Sequence, residues 1–166
     1  MNLHLNPKDA AVILVDIQND FCHEDGACAK GGRDVSGAQA IIPRVEALVE
    51  RARGLQVPVI FIQMVQDEFT VSEAWENRPR LNVQMPLIIC KKGSWGAEFY
   101  KIQPQKGDIV VQKHRYSAFI GTELDMILKN LGCKSLILTG VATNVCVEST
   151  ARDAFMLDYH VTIVKD

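Results

Sequence analysis

The 166-residue sequence contains no apolar run of membrane-spanning length and no long basic stretch. The first absence excludes a transmembrane helix. The second, with a formal net charge of −2, argues against a nucleic-acid surface. The opening residues MNLHLNPKDA have neither the basic start nor the apolar segment of a secretory leader, so the expectation is a cytoplasmic protein. Five cysteines (Cys22, Cys28, Cys90, Cys133 and Cys146) are scattered without a C-x-x-C pair. That spacing indicates neither a zinc site nor a thioredoxin-like dithiol, and in a reducing compartment such thiols pack as small hydrophobes.

What is present is an ordinary globular mixture, 48% hydrophobic and 23% charged, long enough for one domain over residues 1–166 with a real core. AAVILVDIQ is a continuous apolar run ending in an acid, the pattern of a buried parallel strand. VPVIFIQ, DIVVQK, SLILTG and HVTIV read as four more strands. Between them, SGAQAIIPRVEALVERARG, TELDMILKNLG and TNVCVESTARDAFML carry helical spacing. In the last of these, Thr143 is the expected N-cap, and Val147, Ala151, Ala154 and Phe155 the inner face. Alternating strands and helices predict an α/β fold with a mainly parallel sheet covered on both faces. Residues 64–107 depart from this pattern, being rich in aromatics and charges without periodicity, as binding loops and lids often are.

In such a sheet, chemistry gathers at the carboxyl ends of the strands. Asp16 follows VILV, Lys113 follows IVVQ, and Cys146 lies just beyond LILTG. Together they offer a base, a cation and a nucleophile. A helix N-terminus and a nearby Lys113 ammonium predict a lowered thiol pKa for Cys146. Asp16 is the natural acceptor of the thiol proton. Gly140, Val141, Ala142 and Thr143 allow close approach of backbone N–H groups, a candidate oxyanion hole for acyl transfer.

VILVDIQNDF, KGSWGAEF, DIVVQKHRYSAFIGTELDMIL and LILTGVATNVCVESTARDAF, in order along most of the chain, closely resemble the isochorismatase-like cysteine hydrolases. The resemblance implies a Rossmann-like three-layer α/β/α fold with sheet order 3-2-1-4-5-6 and an Asp16–Lys113–Cys146 triad. It also implies a cis Val141–Ala142 peptide, with the Ala142 and Cys146 N–H groups as the oxyanion hole. Nicotinamidase-like members carry an Asp and two His as metal ligands. Here FIQMVQDEFTVSEAW has no histidine, and His4, His23, His114 and His160 lack that spacing, so no metal or other cofactor is expected. Isochorismatases proper lack the cysteine. The closest resemblance is to the ureidoacrylate amidohydrolase, biuret hydrolase and N-carbamoylsarcosine amidase branch. It implies C–N bond cleavage in a small ureido, carbamoyl or amide substrate through an acylated Cys146. Asn19, Phe21, Trp95, Tyr116 and Phe119 are the candidate pocket wall. Relatives continue through a further helix, strand and helix beyond VTIVKD, so a C-terminal part is expected to be missing, and an unfinished sheet edge favours a homo-oligomer.

Three alternatives stand beside this reading. The fold could be kept for binding or regulation without turnover. An isochorismatase-type hydrolysis is a second, and reversible oxidation of Cys146 a third, with Cys22 or Cys133 as a spatial partner.

Overall fold

Every residue of Ala10–Val15 is buried, which is why a run with no polar position can form a strand at all. In the structure, a computed structural model that describes residues 5–77 and 88–165, this run is β1, the centre of a parallel sheet. β2 (Val59–Met64), β3 (Ile109–Lys113), β4 (Ser135–Gly140) and β5 (His160–Ile163) complete the order β3-β2-β1-β4-β5. The pairing is in parallel register throughout, with Val15 level with both Ile62 and Gly140, and Met64 level with Lys113.

Helices cover both faces. The short helices α1 (Asn19–Cys22), α2 (Ala27–Lys30) and α3 (Ser36–Ala40) lead into α4 (Ile42–Gly54). Ile42, Val45, Val49 and Ala52 of α4 pack on Ala10, Val12, Leu14, Val59 and Phe61, the first face of the sheet. After α5 (Glu73–Glu76) come α6 (Leu124–Asn130) and α7 (Glu148–Met156). Leu124, Leu128, Val147, Ala151 and Ala154 pack on Ala11, Ile13, Val15, Ile60, Ile62, Val111, Leu136 and Leu138, the opposite face. The alternation of side chains along a strand splits the apolar residues of β1 between these two cores. The result is a three-layer α/β/α arrangement. No helix among the described residues is long and apolar enough to cross a membrane.

The structure corrects two expectations about the last helix. Phe155 is 71% exposed and does not belong to the inner face, because one residue past Ala154 rotates the side chain by about 100°. Thr143 is not an N-cap either. Ala142 takes that place, with extended backbone, and Thr143–Val147 forms a π turn that runs into α7. The predicted helix over 36–54 is divided into α3 and α4 around Ile41, with Pro43 in the first turn of α4, where its missing N–H is tolerated.

Candidate active site

Asp16 is the first residue past β1 and adopts a φ of 53°, which turns the chain sharply out of the strand. Gln18 then ties this corner down. Its side-chain amide donates to the carbonyls of Met64 (2.9 Å) and Ala97 (2.7 Å), and its oxygen accepts from the Met64 N–H (2.8 Å). The ends of β1 and β2 and the Trp95–Ala97 turn are thereby fastened together by one buried side chain.

Lys113 is the last residue of β3, one strand removed from β1. Its side chain spans the end of β2 to meet Asp16 Oδ2 at 2.8 Å, and both side chains are fully buried. Lys113 Nζ also donates to the Arg115 carbonyl at 2.9 Å. The Cys146 thiol lies against both the Asp16 carboxylate and the Lys113 ammonium. Thus the fold brings together three groups separated by up to 130 positions in the chain. The Asp16 carboxylate thus faces the Lys113 ammonium on one side and the Cys146 thiol on another.

Burial dominates the protonation of this cluster. It pushes the Asp16 carboxyl above its ordinary value, with Lys113 and the thiol pulling the other way. Burial disfavours the Lys113 ammonium too, but Asp16 and Cys146 more than offset it, so the lysine stays charged. The expectation of a lowered Cys146 pKa is corrected. Desolvation and the neighbouring Asp16 charge push it up, and Lys113 offsets only part of that rise. Burial at this position therefore favours the neutral Cys146 thiol over the thiolate.

The Cys146 turn is held from several sides. Its carbonyl accepts from Thr150 Oγ1 (2.7 Å), which in turn accepts from the Ala118 N–H (3.0 Å). The Ala142 carbonyl accepts from the Val145 and Val147 N–H groups at 3.1 and 3.2 Å, and the Val141–Ala142 peptide is cis. Gly140 (φ 117°) lies so close to β1 that an added Cβ would sit 2.1 Å from the Val15 carbonyl oxygen. Gly140→Ala is therefore expected to cost about 2 kcal/mol or more by chemical denaturation, and to displace the Cys146 turn. Unchanged stability would contradict the close approach.

A cavity of about 530 Å³ opens over Cys146. Its walls include Phe21, Met64, Trp75, Tyr116, Val141 and Val145. Of the five pocket residues expected from sequence, only Phe21 and Tyr116 lie there. Asn19 and Trp95 border a separate depression with His23, Gln39, Tyr100 and Lys101. Asn19 is a clip, donating to the Trp95 carbonyl at 2.8 Å, and Trp95 sets its ring edge-on to His23. Phe119 packs on the core against Tyr159. Trp75 was not anticipated. It lies in the aperiodic stretch 64–107, packs on Tyr116 at 4.7 Å and carries the Arg115 guanidinium over its ring, so only its aromatic character marked it. Part of that stretch, residues 78–87, lies outside the described residues.

The five cysteines are all free and buried. Cys133 contacts the Ala10 carbonyl at the opposite end of β1 from Asp16, so it is not a spatial partner for Cys146. Among the described residues no three His, Cys, Asp or Glu side chains are grouped to hold a metal ion.

Comparison with known proteins matches residues 10–166 to the Isochorismatase domain. The chain is 38% identical to the ureidoacrylate amidohydrolase RutB of Agrobacterium fabrum over 98% of its own length and 76% of the relative. A cysteine hydrolase from Pseudomonas syringae pv. phaseolicola superposes with a TM-score of 0.84 at 30% identity, covering 98% of this chain and 73% of that one. The N-carbamoylsarcosine amidase from Thermoplasma acidophilum gives 0.77 at 29% identity, covering 94% and 81%.

Proposed function

The chain belongs to the isochorismatase family, and from that premise we propose that it is a cysteine-dependent amidohydrolase acting on a small ureido, carbamoyl or amide compound. The carrying observation is a buried carboxylate–ammonium pair set against a thiol that lines one cavity. The names of the relatives, an amidohydrolase and an amidase, support C–N bond cleavage.

In the proposed reaction the Cys146 sulfur attacks the substrate carbonyl as its proton passes to Asp16. The carbonyl π electrons move to oxygen, and the oxyanion is held by the Ala142 and Cys146 N–H groups. When the tetrahedral adduct collapses, the C–N bond breaks and Asp16 returns the proton to the departing nitrogen. Water then attacks the acyl carbon, giving its proton to Asp16, and as the C–S bond breaks Asp16 passes that proton to the departing sulfur, restoring thiol and carboxylate together. Lys113 remains charged throughout. It keeps Asp16 ionised against the desolvation that would otherwise protonate it. Because burial favours the neutral thiol, its proton moves only when a carbonyl is in place, which protects it from idle oxidation.

The test is acid-quenched mass spectrometry during turnover of simple ureido and amide compounds, with ammonia or amine release followed in parallel. An acyl adduct on Cys146, lost with product release in Cys146→Ala, is the expected outcome. Release that persists in Cys146→Ala, or no release from any such compound, defeats the proposal. The pH profile gives a separate prediction. Protonating Asp16 removes the base, so kcat/KM falls on acidification, and its acid limb lies above the ordinary carboxyl value of 3.8 because burial raises Asp16.

A further inference from the structure

We infer that Tyr116, layered on Trp75, receives an aryl or other apolar substituent of the substrate, so that the preferred compounds are neutral N-substituted ureas or amides. This rests on the hydrolase reading above and narrows it. A cavity of about 530 Å³ exceeds what one ureido group fills, which leaves room for a second part of the ligand.

Charge does not select that second part. Among the described residues of the lining, the charged side chains are Arg33 and Asp34, adjacent in the chain, opposite in sign and both exposed. Asp34 Oδ1 accepts from the Ser36 N–H at 2.8 Å, a contact that holds its carboxyl below the ordinary value and keeps it ionised beside Arg33. Below them, Asp16 and Lys113 offset one another in the same way. An ionic ligand thus meets balanced charge, half of it already solvated.

Aromatic surface takes the place of charge. Met64 ends β2, between the strands that lead to Asp16 and Lys113, and packs with Phe21 and Trp75. Tyr116 sets its ring 4.7 Å from that of Trp75, tilted by 52°. Trp75 is 9% exposed and Tyr116 37%, so Trp75 is the backing and Tyr116 the face it presents. The backing is held from several sides. Ser72 Oγ accepts from the Trp75 N–H at 3.2 Å, capping α5. The Arg115 guanidinium lies 5.1 Å from the Trp75 ring centroid and donates to the Thr70 and His114 carbonyls at 2.9 and 2.8 Å. A ring supported in this way loses little freedom when a ligand packs on it, and an aromatic face suits a flat apolar group. Val141 and Val145, from the Cys146 turn, add aliphatic surface to the same lining.

The experiment measures calorimetric binding of phenylurea, methylurea and 3-ureidopropionate to the full chain carrying Cys146→Ser, which lacks the sulfur nucleophile. About a tenfold preference for phenylurea over methylurea is expected, unchanged by added salt because neither ligand is charged. Adding Tyr116→Ala should bring that ratio to within about twofold, while Tyr116→Phe keeps it, since the ring makes the contact. Equal binding of the two neutral ureas, no binding of phenylurea at millimolar concentration, or tighter binding of 3-ureidopropionate overturns the inference. So does a preference that survives Tyr116→Ala or disappears in Tyr116→Phe. Release of ammonia or aniline by the protein with Cys146 intact is scored separately. A preference that depends on Tyr116 without any release upholds the aromatic subsite and removes the hydrolase reading, and release without the preference does the reverse.

Discussion

Replacing Asp16 by Asn is expected to slow amide turnover by a factor of about 10²–10⁴, the usual worth of a general base, while making Cys146 easier to deprotonate. The two effects go in opposite directions for one physical reason. The Asp16 charge is among the causes that raise the thiol pKa, second only to burial, while Lys113 lowers it. Remove the carboxylate, and the thiolate becomes the remaining anion available to Lys113. Iodoacetamide labelling of Cys146 should therefore begin at lower pH in Asp16→Asn than in the parent protein, even as kcat/KM falls. Asparagine keeps the shape of the side chain, so the turn at φ 53° and the neighbouring Gln18 clamp are preserved. A labelling profile that moves up in pH together with the loss of turnover would mean that Asp16 merely holds the thiol in place. Unchanged turnover would remove Asp16 from the chemistry altogether.

Lys113→Met should produce the largest loss of stability, about 3–5 kcal/mol at neutral pH, because it strands a fully buried carboxylate. The sign of its pH dependence follows from linkage. In the variant, the folded-state Asp16 pKa lies even further above its unfolded value than in the parent. The folded state then binds more protons than the unfolded state between those two values, so stability falls as pH rises through that window. The deficit relative to the parent protein should be small in acid and grow toward neutrality. Combining Lys113→Met with Asp16→Asn removes both charges, and it should recover much of the loss while leaving the protein inactive. Urea denaturation at several pH values reads both effects. A deficit that is constant with pH and persists in the double variant would assign the role of Lys113 to packing alone, since it is also among the largest fully buried side chains.

These expectations depend on features that were unequally visible in the residues. The strands were plain because β1 and β2 are almost wholly buried, and burial on both faces demands uninterrupted apolar runs. The covering helices were plain for a similar local reason, as in the spacing of Val45, Val49 and Ala52. Phe155 shows where that reasoning fails. A stripe read from sequence does not fix its own edge, and the packing of α7 places the boundary between Ala154 and Phe155.

Asp16, Lys113 and Cys146 stood out because a reactive side chain at a strand end, or in the turn beyond it, is a local pattern. Their order along the sheet is the one that the family resemblance implied. Their protonation was not legible in this way. Whether a thiol near a helix start is acidic or not depends on how deeply it is buried and what faces it. Both are set by β1, β3 and the π turn meeting from distant parts of the chain. The same holds for the cavity wall. Asn19 and Trp95 were plausible from their position after β1 and in KGSWGAEF, yet docking of that segment turns them to a different depression. Trp75 and Arg33 gained a place at the cavity only through folding. Local pattern was enough to show the strands, their covering helices and three candidate side chains at strand ends, because periodicity and strand ends are local. Tertiary structure alone decided the charge state of the thiol and the walls around it, because desolvation and facing partners are properties of chain segments far apart in sequence.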